Sequence, residues 1–255
     1  MTPFLIENQL FQIDYTILIL VFSLGAIAGS FSHAFADGII HGRKILRRSE
    51  CNYCKNTIIW VHLIPIFSYI FLKGKCSYCN KKIHLEILIF EVYFACLYIL
   101  YFLYLDLWYF LKFTLISIFL AIIFETDRKK LFIDLKCLIM ILMISIVFNT
   151  WPFIEYKIFL DKFFLFSFGW LLIFIISSLY FLFKGIQGFG SGDKWLLGII
   201  STMFTYNDVI YIFLSSCIIG SLIGIITLIY NKSITNLKLP FGSFLCFVSI
   251  VYPIL

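Results

Sequence analysis

Eight carboxylates in this chain lie beside runs of hydrophobic sequence: Glu86, Glu91, Asp106, Glu125, Asp127, Asp134, Asp193 and Asp208. An ionisable side chain at bilayer depth is costly, so such residues are rare and point to function. Asp106 and Asp208 sit in short polar turns, where solvation explains them. The others of interest fall in two stretches, "FETDRKKLFID" (124–134) and "GFGSGDKW" (188–195). Two carboxylates brought from different segments to one depth can share a single proton, one group acting as base and the other as acid. Such a pair activates water for attack on a peptide carbonyl and needs neither serine nor metal. Glycines at 188, 190 and 192 let the backbone turn sharply and approach a substrate strand closely. They also suit unwound backbone that lines a cavity within a membrane. A plainer reading has Asp193 only capping the segment that follows it, since Asp is favoured at helix N-termini. Spacing alone does not choose between the two.

A second constellation is made of sulfur. "CNYC" (51–54) and "CSYC" (76–79) are separated by 21 residues. Cys51, Cys54, Cys76 and Cys79 can close a tetrahedral zinc shell with no open position for water, which makes the metal structural. The alternative is a pair of redox-active or unliganded CxxC units. On the cytoplasmic side a structural disulfide is disfavoured. A loop this small has little core, so metal binding would supply much of its folding free energy. Cys96, Cys137, Cys217 and Cys246 stand singly in apolar runs and read as packing residues. His33, His41, His62 and His84 form no HxxxH or HxH set and read as polar or interfacial side chains.

The elements that must position these groups follow from composition. The 255 residues are 62% hydrophobic, 20% aromatic and only 13% charged, against about 45–50% apolar and about 25% charged in soluble domains. The expected fold is an all-α polytopic membrane protein. Apolar runs of spanning length suggest eight segments, near 15–36, 86–106, 108–124, 135–151, 160–183, 194–206, 208–230 and 240–255. The domain reading is a first span (1–36), a loop domain carrying the four cysteines (37–85), and a membrane domain (86–255). The start of the chain carries Glu7 and Asp14 and no basic residue before the first apolar run, the reverse of a signal-peptide n-region. That run is expected to be retained as a span.

Charge distribution tests the count. Loop 37–85 holds nine basic residues, loop 125–136 four, and loops 184–194 and 231–239 two each, together 17 of the chain's 20. Eight spans put all four loops on one face, the cytoplasm. The net charge of +6 is thus a topology signal, and no nucleic-acid partner is expected. Lys112, Lys157 and Lys162 fall toward the opposite face. No convincing internal repeat is visible.

Ordered motifs along most of the chain resemble the type IV prepilin peptidases, also called leader peptidases, a class of membrane aspartic peptidase. "GSF" (29–31) resembles that family's "GSFLNV". "CNYCKNTIIWVHLIPIFSYIFLKGKCSYCNKKI" (51–83) resembles its "CPxCxxxIxWxxNIPxxSxLxLxGxCxxCxxxI". "ETDRKKLFID", "GFGSGDKW" and "PFGSFL" (240–245) resemble its "xxDxxxxxxPD", "GxGxGDxK" and "PFGPFL". The resemblance implies Asp127 and Asp193 as the catalytic pair, sixty-six positions apart, with Asp134 a later non-catalytic acid and Glu91 an acid closing the loop domain. It implies removal of a short basic leader from prepilins or pseudopilins at the cytoplasmic face of the bacterial inner membrane. It also implies a second activity, N-methylation of the new terminus with S-adenosylmethionine. Departures are present: Ile133 stands where proline is usual, and Lys194 follows Asp193 directly. The rival class is a transporter or scaffold with a zinc-stabilised loop. A transporter would carry polar groups along several spans, and here the spans are nearly all apolar.

Overall fold

The computed structural model describes residues 15–43, 49–51, 53–151, 156–185, 188–231 and 239–255. The expectations about Glu7, Asp14, Lys44, Arg47, Arg48, Lys232 and Lys238 lie outside these. Among the described residues there is no β-strand, only two isolated bridges, Glu50 with Thr57 and Lys75 with Lys82.

The chain order is α1 (Tyr15–Ile40), a 3-10 turn (Trp60–Leu63), α2 (Phe67–Phe71), α3 (Leu85–Tyr104), α4 (Leu107–Lys130), α5 (Leu135–Thr150), α6 (Tyr156–Lys184), α7 (Ser191–Ser201), α8 (Tyr206–Asn231), α9 (Phe241–Val251) and a closing 3-10 turn (Tyr252–Ile254). All eight apolar segments are helices. Five of them, α1, α3, α4, α6 and α8, are long and apolar enough to cross a membrane. The remaining three are shorter: α5 rises about 24 Å, and α7 and α9 about 16 Å each, against about 30 Å of hydrocarbon. Packing explains how short helices persist there. In α7, Leu196, Leu197, Ile199 and Ile200 are buried, and in α9 Leu245, Cys246, Val248 and Ile250 are buried. Both are covered largely by protein.

Two close approaches set the frame. A Cβ on Gly25 would strike the Phe94 carbonyl oxygen, and one on Gly29 would sit 2.6 Å from the Phe90 carbonyl oxygen. Glycine at both positions therefore lets α1 lie directly on α3, the small-xxx-small packing common between membrane helices. A Cβ on Gly169 in α6 would likewise meet Ser201 and the Leu197 carbonyl of α7. At the far end of the bundle, Lys112 is 2% exposed, which its expected place near the outer surface did not foretell. Its ammonium donates to Asn149 Oδ1 at 2.9 Å. Asn149 Nδ2 in turn donates to Ser145 Oγ and to the Thr202 carbonyl, each at 3.1 Å. The network ties α4, α5 and the end of α7 together, and so fixes α7 from the end opposite Asp193.

Helix ends depart from the sequence reading where charge continues a helix. α1 runs to Ile40, past position 36. α4 runs to Lys130, six residues beyond its apolar run. Glu125 holds Arg128 at 3.0 Å and Lys129 at 2.7 Å. These i,i+3 and i,i+4 pairs support helix in "ETDRKK". The helix stops at Leu131, which takes left-handed backbone (φ 53°) and bonds back to the Asp127 carbonyl at 2.8 Å.

Candidate active site

The extension of α4 decides where its acids point. Successive residues on an α-helix are rotated by about 100°, so Glu125 and Asp127 face nearly opposite ways. Glu125 turns toward α1 and α3. There it joins Arg128, Lys129 and Glu86, with Arg128 bonding Glu86 at 2.9 Å and His33 Nδ1 lying 4.0 Å from Glu125. Asp127 turns into the bundle and is 5% exposed. Asp134 lies beyond the helix stop, at the N-cap position of α5 but with no side-chain capping bond, and accepts a weak bond from the Cys137 thiol at 3.7 Å.

Asp193 occupies the third position of α7 and is 7% exposed. One oxygen, Oδ2, accepts the Gly190 amide at 3.0 Å. The capping reading is therefore correct for that oxygen. The other, Oδ1, points toward the first turn of α9. A Cβ on Gly242 would lie 3.1 Å from Asp193 Oδ1 and 3.1 Å from Asp127 Oδ2. The two oxygens thus stand within about 6 Å of one another across a bare glycine Cα. The Ser243 amide donates to Asp127 Oδ2 at 2.7 Å, so the N-terminus of α9 orients that carboxylate. Lys194, though next in sequence to Asp193, is rotated away and lies 5.2 Å from the centre of the Phe174 ring.

Apolar side chains hold the three segments together. Ile133 Cδ1 stands 3.1 Å from the Cβ position of Gly192 and 3.0 Å from that of Gly242, wedged between α7 and α9. Phe189 packs edge-on to Phe241 at 4.8 Å, and Phe213 packs edge-on to Phe241 at 6.1 Å. The "GFG" turn is thereby docked on "PFG". Beside Asp193 a groove of about 230 Å³ opens between α5 and α7, lined by Ile133, Leu135, Leu138, Ser191, Gly192 and Trp195. Sequence reasoning noted "PFGSFL" only as a likeness and gave Gly242 and Ser243 no part. The signal was available in a glycine two residues after a proline at a helix start, a place where backbone can approach a polar group.

The four cysteines form the second site. Their sulfur atoms all lie within 4.8 Å of one another, and Cys51 Sγ is 3.9 Å from Cys79 Sγ. That spacing fits a tetrahedral ion with metal–sulfur bonds near 2.3 Å. Each pair sits in the same knuckle. The amide of Cys51 bonds the Asn56 carbonyl and that of Lys55 bonds the Cys51 carbonyl; the amides of Cys76 and Asn80 do the same with the Lys81 and Cys76 carbonyls. Lys55 (φ 59°) and Asn80 (φ 55°) both take the left-handed conformation. This is a short structural repeat that the sequence reading missed, because eight residues sharing two cysteines and a tyrosine carry too little signal. Burial raises the Cys51 thiol, but the amides of Cys54 and Tyr53 and the neighbouring thiols outweigh it and bring it down to about 6. The Asn56 amide favours the Cys54 thiolate, yet burial and the thiols of Cys51, Cys79 and Cys76 push it up to about 11. Four crowded sulfurs that cannot all ionise alone are a donor set suited to a cation. Of the other cysteines, Cys137 and Cys246 are buried as packing residues, whereas Cys96 is exposed.

Two family models match along the chain. The bacterial peptidase A24 N-terminal domain covers residues 23–105, and the type IV leader peptidase family covers residues 114–225. A prepilin leader peptidase/N-methyltransferase of Vibrio cholerae is 30% identical over 224 residues, 81% of this chain and 85% of the relative. The chain belongs to the type IV leader peptidase family. A relative of the same name from Aeromonas salmonicida is 26% identical over 202 residues, 78% of this chain and 68% of the relative. One from Bacillus subtilis is 38% identical over 82 residues, 32% of this chain and 33% of the relative. No solved structure matches. This leader peptidase is therefore a multi-pass helical membrane enzyme whose second family model spans both acidic stretches.

Proposed function

We propose that this enzyme is a membrane aspartic endopeptidase that removes the short basic leader of type IV prepilins or type II secretion pseudopilins. The observation that carries the reading is the convergence of Asp127 Oδ2 and Asp193 Oδ1 on Gly242. Two like charges this close, away from bulk water, hold one proton between them. The ionised carboxylate takes a proton from a water lying between the pair, and the water oxygen attacks the scissile carbonyl carbon. The protonated carboxyl donates to the carbonyl oxygen as the tetrahedral intermediate forms. Collapse of that intermediate breaks the C–N bond, and the leaving amine receives the proton first taken from water. The Ser243 and Gly190 amides keep each carboxylate in place, which is pre-organisation that costs no rearrangement during reaction. The groove lined by Leu135, Leu138 and Trp195 suits the apolar helix that follows a prepilin leader.

The basic loops favour a cytoplasmic active-site face in the bacterial inner membrane. The names of the relatives support a second step, methylation of the new N-terminus with S-adenosylmethionine. Cys51, Cys54, Cys76 and Cys79 would hold a structural zinc ion that folds the loop domain and takes no part in hydrolysis. The test is cleavage of a purified prepilin by detergent-solubilised enzyme. Asp127→Asn and Asp193→Asn are each expected to lose cleavage by at least about 10³-fold, with membrane insertion unchanged. Near-normal processing by either single variant would falsify the assignment.

A further inference from the structure

The loop domain carries a large apolar surface that neither the cysteine cluster nor the active site uses. Between the two cysteine pairs, Trp60 (77%), Val61 (66%), Ile64 (48%), Phe67 (56%), Ile70 (61%) and Phe71 (82%) are exposed. These residues belong to no span. Soluble surfaces rarely leave such a contiguous patch open.

Its depth is fixed by one hydrogen bond. The amide of Ile66, in the turn before α2, donates to Glu91 Oε2 at 2.6 Å. Glu91 is 5% exposed and lies in α3 against Gly29 of α1. Ile66 has φ 65° and ψ −56°, and the Phe67 amide bonds the Pro65 carbonyl at 2.7 Å, so Ile66 is the centre of a γ-turn of the strained hand, which the anchor holds. The charged layer of this end of the bundle is marked on the same helix by Glu86, paired with Arg128. Glu91 is five residues further in, about 7 Å along the helix axis. Its side chain leans back toward the N-terminus, so the Pro65–Phe67 turn sits several ångströms below the charged layer. A turn at that level lies on the bundle's side of the charged layer. Exposed Lys73, Lys75, Lys81 and Lys82 follow the apolar face in sequence, and a basic rim is what an anionic leaflet attracts.

We infer that residues 59–71 form an interfacial anchor that lies in the lipid leaflet, so that the loop domain is partly immersed rather than free in the cytoplasm. Its apolar side faces acyl chains, as an amphipathic monotopic element does, and its lysines face anionic headgroups. The inference is independent of the catalytic assignment.

Trp60 serves as the probe. In a variant with Trp108, Trp151, Trp170 and Trp195 changed to Phe, reconstituted in phosphatidylcholine–phosphatidylglycerol vesicles, acyl-chain dibrominated lipid is expected to quench Trp60 emission by about half. Aqueous iodide is expected to quench it only weakly. The reverse pattern overturns the inference, as does quenching by neither, which would mean that protein covers the face. For a variant that does not fold, the native chain is reconstituted with a phospholipid bearing a diazirine on its acyl chain and irradiated. Lipid adducts on the 59–71 peptide support the anchor. Adducts confined to the spanning helices overturn it.

Discussion

Gly242→Ala tests the site geometry more sharply than loss of a carboxylate does. The added methyl would lie 3.1 Å from Asp127 Oδ2, 3.1 Å from Asp193 Oδ1 and 3.0 Å from Ile133 Cδ1. All three contacts are a few tenths of an ångström shorter than an ordinary carbon–oxygen or carbon–carbon approach of about 3.5 Å. Either the carboxylates rotate away or α9 retreats, and a retreat lengthens the 2.7 Å bond from the Ser243 amide. A displacement on the order of 1 Å in a positioned catalytic group costs about 10²-fold in rate. The folded state loses little. Gly242 lies in the first helical turn of α9, where alanine recovers up to about 1 kcal/mol of helix propensity and offsets part of the crowding. The expected outcome is a fall in kcat of about 10²-fold or more with a melting temperature within a few degrees of the parent. The assay is initial-rate leader cleavage in detergent beside a thermal melt of the same preparation. A variant that is equally stable and within threefold of parental activity would show that the reacting centre does not lie between these two oxygens.

Three further outcomes follow from the same structure. Cys51→Ser, or the same change at Cys54, Cys76 or Cys79, should reduce bound zinc below one equivalent by elemental analysis and loosen the loop domain to proteolysis. Cleavage should fall only partly; immediate, complete and zinc-reversible loss on chelation with the fold intact would instead make this a metallopeptidase. Glu125→Gln should destabilise by only about 1 kcal/mol, because Arg128 and Lys129 lose one partner but are about a third exposed and keep Glu86. Activity per folded molecule should stay near parental, and loss comparable to Asp127→Asn would mean that Glu125 works in the chemistry. Gly25→Ala should force α1 away from α3, since its methyl would strike the Phe94 carbonyl. A loss of at least about 2 kcal/mol is expected, and an unchanged melt would contradict the close helix approach.

The sequence by itself determined the class of molecule, because bilayer thickness and the cost of buried charge act on composition directly. Apolar runs of spanning length, and basic residues gathered in alternate loops, are local quantities that need no coordinates. Metal-ligand spacing is equally local, and the two CxxC pairs do converge to within 4.8 Å. "GAIAG" at 25–29 was also legible as a close-packing motif, although the sequence reading passed over it. The choice among acids was not legible from residue types and spacing. Glu125, Asp127 and Asp134 sit in one short stretch; the i,i+3 and i,i+4 charge spacing of "ETDRKK" is local support for helix, but nothing local says which face of that helix turns into the bundle. Tertiary structure decided that. The i,i+3 and i,i+4 pairs of Glu125 carry α4 past its apolar run, packing then sends Glu125 to α1 and α3 and Asp127 inward, and the left-handed Leu131 leaves Asp134 at the start of the next helix. Only the fold could bring Gly242 and the Ser243 amide, 115 and 116 positions away from Asp127, to its carboxylate. Such contacts depend on how α4, α7 and α9 pack, and no sequence period records them.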